Sequence, residues 1–181
     1  MKKRVLWLTE TAVLLALLIT LQTVTKPLGQ LVTGSCVNAL LAVACLFGGL
    51  SCGITVAVIS PVLAFLLGIA PQILTVPAIM VGNVLYVVVL YLLAGRGNQP
   101  LWQKALALVS ASVVKFWTLY GIVAGLICGF LSESLLASGA LKAPMLKVLP
   151  VTFGVPQLFT ALIGGAVATL IVSVLRRALR K

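Results

Sequence analysis

Ser112, Lys115 and Thr118 stand at i, i+3 and i+6 in the apolar stretch SASVVKFWTLYG (110–121), so on a helix they share one face. A lysine there could do three kinds of chemistry. It could hold a ligand oxygen or phosphate, hydrogen-bond neighbouring helices as structural glue, or activate Ser112 as a Ser-Lys dyad. The dyad is the weakest of the three, because two residues on one straight helix supply no oxyanion hole. A lysine at the bilayer centre costs about 2.5–3.5 kcal/mol on insertion scales, so it should face the bundle interior or a wet cavity. The chain has two acidic residues, Glu10 near the inner end of the first span and Glu133 in an outer loop. Neither is placed to neutralise Lys115. Backbone carbonyls, water, a change of protonation or a ligand must do so.

Other apolar stretches carry polar stripes of their own. Asn83 and Tyr86 lie three apart in VGNVLYV, and Ser35 and Asn38 open another run. Phe153, Gln157, Thr160 and Gly164 recur at helical spacing near the end. Trp117 and Tyr120 flank the lysine face. Glue between helices and ligand contact are both open for Asn38, Asn83 and Gln157, and glue alone can account for Ser112, Thr118 and Thr160.

The elements that must position these groups follow from composition. With 62% hydrophobic and 8% charged residues the chain is no ordinary soluble domain, where about a quarter would be charged. A spanning helix needs about 20 mostly apolar residues, so 181 residues hold roughly six. Apolar runs place the spans at about 5–25, 35–50, 53–70, 73–94, 102–130 and 150–175, with GGLSCG (48–53) as a tight turn between the second and third. The expected fold is an all-α membrane protein, a six-transmembrane-helix bundle forming a single integral membrane domain over 1–181, with both termini cytoplasmic. The basic head and apolar run at the start lack a cleavage site, so they read as a retained first helix.

Charge supports the count. Six spans with the N-terminus inside put Lys2, Lys3, Arg4, Arg96, Lys104, Arg176, Arg177, Arg180 and Lys181 inside and Lys26, Lys142 and Lys147 outside. An odd count would set RRALRK against MKKR. The longer connections, KPLGQLVTGS (26–35) and LSESLLASGALKAPMLKVL (131–149), fall outside, and the second has room for a short surface helix.

Several function classes drop out. The net charge of +11 comes from residues flanking apolar runs and forms no nucleic-acid groove. There is no histidine, no aspartate, no metal cluster, no intramembrane carboxylate for ion coupling and no Walker loop. A polar pore ring would need an oligomer. A membrane protein that gathers something from outside, and borrows its energy from a partner, is what remains; a stand-alone multi-pass membrane enzyme with a Ser-Lys type site is the alternative.

The remaining features read as architecture. Gly121, Gly125 and Gly129, and likewise Ala12 and Ala16, repeat every four residues, a spacing that lets helices pack closely. Pro61 and Pro77 should kink the third and fourth spans or free a carbonyl. Arg176, Arg177, Arg180 and Lys181 should snorkel to headgroups. Cys36, Cys45, Cys52 and Cys128 lack ligand spacing and read as small apolar packers, with a Cys36–Cys128 disulfide open.

Over essentially its whole length the chain resembles the substrate-binding S components of energy-coupling factor (ECF) vitamin transporters. Ala12 and Ala16 in TAVLLALLIT match the A-x-x-x-A motif of their first span, and VGNVLYV, VVKFWTLYG and VPQLFTALIGG look like pocket-lining segments. The resemblance implies capture of a vitamin or cofactor near the outer surface, docking on a membrane T component and two cytoplasmic ABC ATPases, and toppling to release the cargo inside. It implies no cofactor in this chain, ATP being used by the ATPases, and the plasma membrane of a prokaryote as the location. Ala12 and Ala16 would meet the T component. Lys115, Asn83, Tyr86, Gln157, Asn38, Thr118, Phe153 and the loop-one residues Gln30 and Ser35 would approach the substrate. The look is closest to cobalamin-associated members; pantothenate, folate and haem stay open.

Overall fold

The computed structural model describes residues 2–69, 72–94 and 99–179, and every regular element among them is helical. Each apolar run becomes a helix because a chain without water partners must satisfy its backbone within the segment. The elements are α1 (Lys2–Thr25), α2 (Gln30–Leu46), α3 (Leu50–Leu66), α4 (Val76–Ala94), α5 (Leu101–Tyr120), α6 (Ser132–Ala137), α7 (Met145–Thr152) and α8 (Val155–Leu179). Short 3₁₀ turns at Lys26–Leu28 and Ile73–Thr75 precede α2 and α4. Arg96, Arg180 and Lys181, counted above among the inner charges, lie outside the described residues.

Four stretches are long and apolar enough to cross a membrane: Arg4–Leu28, Ile73–Ala94, Leu101–Phe130 and Met145–Ala178. The two shorter apolar helices, α2 and α3, have 17 residues each, about 25 Å of helix. Large apolar side chains such as Leu66, Leu93, Leu170 and Val174 cover the outside. That surface suits lipid, not water.

Boundaries differ from expectation where glycine acts. The turn between the second and third spans is confined to residues 47–49, with Gly49 at φ 89°, so Ser51–Gly53 already belong to α3. The 131–149 connection carries two short helices where one was expected. α7 ends at Thr152, and Phe153 and Gly154 separate it from α8, so Phe153 stands outside the last span's stripe. Pro61 is internal to α3 as expected. Pro77 is the second residue of α4, where its missing N–H would be unpaired anyway, and it starts the helix without kinking it.

The fifth span departs from α geometry. Gly121–Phe130 continues α5 as a π-helix, closed by a 2.9 Å bond from Leu131 N–H to Leu126 C=O. Gly121 and Gly125 would meet nothing within 4 Å if they carried a Cβ. The expected packing of this glycine stripe inside the bundle is therefore wrong; it faces outward.

Close packing uses other glycines. A Cβ on Gly164 would run into the Ser35 carbonyl and Asn38, and one on Gly34 would lie 2.8 Å from Thr160. These two positions let α2 and α8 cross almost backbone to backbone. α2 is the central post, packed on α1, α3, α4 and α8.

Three long-range bonds fix the ends. Trp7 Nε1 donates to Ser51 Oγ at 3.1 Å, and Arg176 Nη2 to the Leu46 carbonyl at 2.7 Å. The starts of α1 and α3 and the ends of α2 and α8 therefore share one end of the bundle. Arg176 satisfies a free carbonyl at the end of α2, a role different from the headgroup contact expected of it. At the opposite end Lys26 Nζ donates to the Gly68 carbonyl at 2.7 Å, tying the α1–α2 connection to the end of α3. The interior divides in two: one apolar cluster includes Leu41, Val56 and Tyr86, the other Leu119, Leu149 and Phe153.

Candidate functional site

Between those clusters lies a cavity of about 190 Å³ at the end of the bundle away from Trp7 and Arg176. Its floor is built by α2, α4 and α5. Lys115 is only 2% exposed, yet it borders the cavity, and its Nζ donates to Asn38 Oδ1 and Asn83 Oδ1, both at 2.6 Å. Tyr86 closes the protein side, its ring centroid 5.4 Å from Nζ. An ammonium has no acceptor capacity, so it fixes both amides with the oxygen toward it and the NH₂ away. Asn38 Nδ2 then donates to Thr160 Oγ1 at 3.2 Å, and Thr160 donates to the Gln157 carbonyl at 3.1 Å. The network thus joins four helices through one cation.

Six expected site residues line the cavity: Lys115, Asn38, Asn83, Gln157, Gln30 and Phe153. Three do not. Tyr86 is fully buried beneath the lysine and donates to the Ala161 carbonyl at 3.3 Å. Ser35 bonds the Leu31 carbonyl within its own helix, its backbone pressed against Gly164. Thr118 likewise bonds the Val114 carbonyl. At about 100° per residue, position i+3 falls short of the lysine face on one side, and the i+4 residue Leu119 reaches the cavity instead. Trp117 is 64% exposed on the outer face.

Sequence reasoning missed Gln22, Lys26, Thr33 and Thr152, which form the polar wall and mouth. Their signal was weak, because a threonine near a helix end is ordinary. The α1–α2 connection, tied to the end of α3 by the Lys26–Gly68 bond, brings Lys26, Gly29 and Gln30 to the cavity. The lining holds two lysines and no acidic residue.

No Ser-Lys dyad forms. Ser112 Oγ is buried without a hydrogen-bond partner, and Ser112 is not part of the cavity wall. All four cysteines are free thiols, which rules out the Cys36–Cys128 disulfide. Among the described residues no group of histidine, cysteine or acidic side chains could hold a metal.

The family model for the ECF transporter, substrate-specific component, matches residues 7–176. The chain belongs to that family. Members supply substrate binding to an importer and carry no catalytic role of their own, working in general with a T component and ATPases. Neither the curated proteins nor the solved structures compared with the chain gave a match. Seen as an ECF S component, the molecule has a lysine-floored cavity at the end of the bundle opposite the start of α1 and the end of α8, and Ala12 and Ala16 exposed on α1.

Proposed function

We propose that this S component captures a small organic molecule outside a prokaryotic plasma membrane, in the cavity above Lys115, and delivers it by toppling once docked on a T component and two ATPases that spend ATP. The observation that carries the reading is the buried Lys115–Asn38–Asn83 cluster opening on a cavity in a chain of this family. Six crossings, α1 to α5 and α8, complete the scheme. They leave Lys2, Lys3, Arg4, Lys104, Arg176 and Arg177 at the cytoplasmic end and Lys26, Lys142 and Lys147 at the outer end, in keeping with the positive-inside bias.

The cavity's volume bears on the cargo. At about 190 Å³ it lies below the roughly 300–1,000 Å³ usual for drug-sized ligands. That volume argues against a corrin such as cobalamin and for a cargo nearer the size of pantothenate. Co-expression with candidate T component and ATPases, followed by affinity purification and ATP-dependent uptake in proteoliposomes, tests the function. A stable complex that imports its cargo is expected; a chain that assembles with no such partner, or that turns over a substrate alone, refutes the reading.

A further inference from the structure

Resting on that reading, we infer that the cargo is an anion, a carboxylate or phosphate whose charged group docks against Lys115 Nζ and Asn83 Nδ2. The argument starts from what the cluster lacks. Two amide oxygens at 2.6 Å orient the ammonium but bring no negative charge. Both acidic residues of the chain lie elsewhere, Glu10 on α1 and Glu133 on α6. The buried cation is therefore solvated by dipoles and left without a counter-ion.

Free donors meet at the cavity floor. Lys115 uses two of its three N–H groups on the asparagines, and the third has no acceptor among the described residues. Asn83 gives its oxygen to the lysine, and its Nδ2 likewise makes no bond among them. Both residues border the cavity and are 1–2% exposed. A cluster that offers N–H groups and no acceptor takes a group with lone pairs and negative charge. The mouth repeats the sign, since Lys26 is the other charged residue in the lining. A cleft lined by one sign of charge concentrates the opposite ion. Asn38, bonded to Lys115 and braced by Thr160, acts as a positioning residue that holds the ammonium in place.

The test uses the purified full chain in phosphatidylcholine nanodiscs and titration calorimetry with matched pairs. The pairs are pantothenate and panthenol, nicotinate and nicotinamide, lipoate and lipoamide, and pyridoxal phosphate and pyridoxal. In at least one pair the anion should bind roughly 100-fold more tightly than its neutral partner. Lys115→Met should remove that preference, bringing the anion and its neutral partner to within about threefold of each other. Asn83→Asp, which sets a carboxylate beside the ammonium, should remove it too, and its failure to do so would count against the site even if Lys115→Met does not fold. Equal affinity within every pair that binds, no binding of any anion by monodisperse protein, or a preference that survives Lys115→Met overturns the inference. Assembly with the T component and ATPases is scored on the same preparation. Anion binding without assembly defeats the importer reading alone, and assembly with a neutral preference defeats this inference alone.

Discussion

Adding a single methyl at Gly164 should loosen both the bundle and the site. The Cβ of Gly164→Ala would lie 2.7 Å from Ala39 N and 2.8 Å from Asn38 Cβ, and closer still to the Ser35 carbonyl. These are backbone or near-backbone atoms of α2, so no side chain can swing away. Ordinary contact starts at 3.4 Å, so α2 and α8 must part by at least about 0.7 Å. Overpacking of this kind costs about 1–3 kcal/mol. At roughly 2–4 °C per kcal/mol, the melting temperature in detergent should fall by several degrees. Asn38 moves with α2, so its 2.6 Å bond to Lys115 lengthens past the usual range of about 2.7–2.9 Å for a charged hydrogen bond. Ligand affinity should therefore fall together with stability. Two controls separate the effects. Gly53→Ala meets Val87 Cγ1 at 2.7 Å away from the cavity wall and should lower stability while leaving affinity alone. Gly125→Ala meets nothing within 4 Å and should cost nothing. A Gly164→Ala protein that melts within about 1 °C of the parent would refute the claim that this crossing is filled to contact.

Ala12→Trp adds bulk to an exposed position of α1, so calorimetry should find ligand binding unchanged while pull-down finds the T component lost. Lys26→Ala removes the tie to the Gly68 carbonyl. An exposed charge-assisted bond is worth about 1 kcal/mol or less, so stopped-flow release of ligand should quicken up to about fivefold. Ser112→Ala deletes a buried hydroxyl with no partner. Thermal unfolding should show stability unchanged or raised by about 1 kcal/mol, and binding should not change, since the residue lies off the cavity.

Composition and the spacing of apolar runs were enough to establish a helical membrane chain, because in lipid each segment must close its own hydrogen bonds. A lone lysine among apolar residues was enough to mark an inward-facing position, since such a charge has nowhere cheap to go except inward. The A-x-x-x-A spacing of Ala12 and Ala16 was legible for the same reason, being a property of one helix. What lies between helices was not legible. The partners of Lys115 stand 77 and 32 residues away along the chain, and only the crossing of α2, α4 and α5 selects Asn38 and Asn83 over other polar residues. The family resemblance set Thr118 and Ser35 near the substrate, but helix rotation gave Leu119 the cavity face and pressed Ser35 into the crossing at Gly164. The glycines of the fifth span looked like packing residues, yet they lie on a π-helix and face outward. Local sequence sets which way a chain hydrogen-bonds and what it can bury; which faces meet depends on close contacts summed over all the helices at once, and those belong to no single segment.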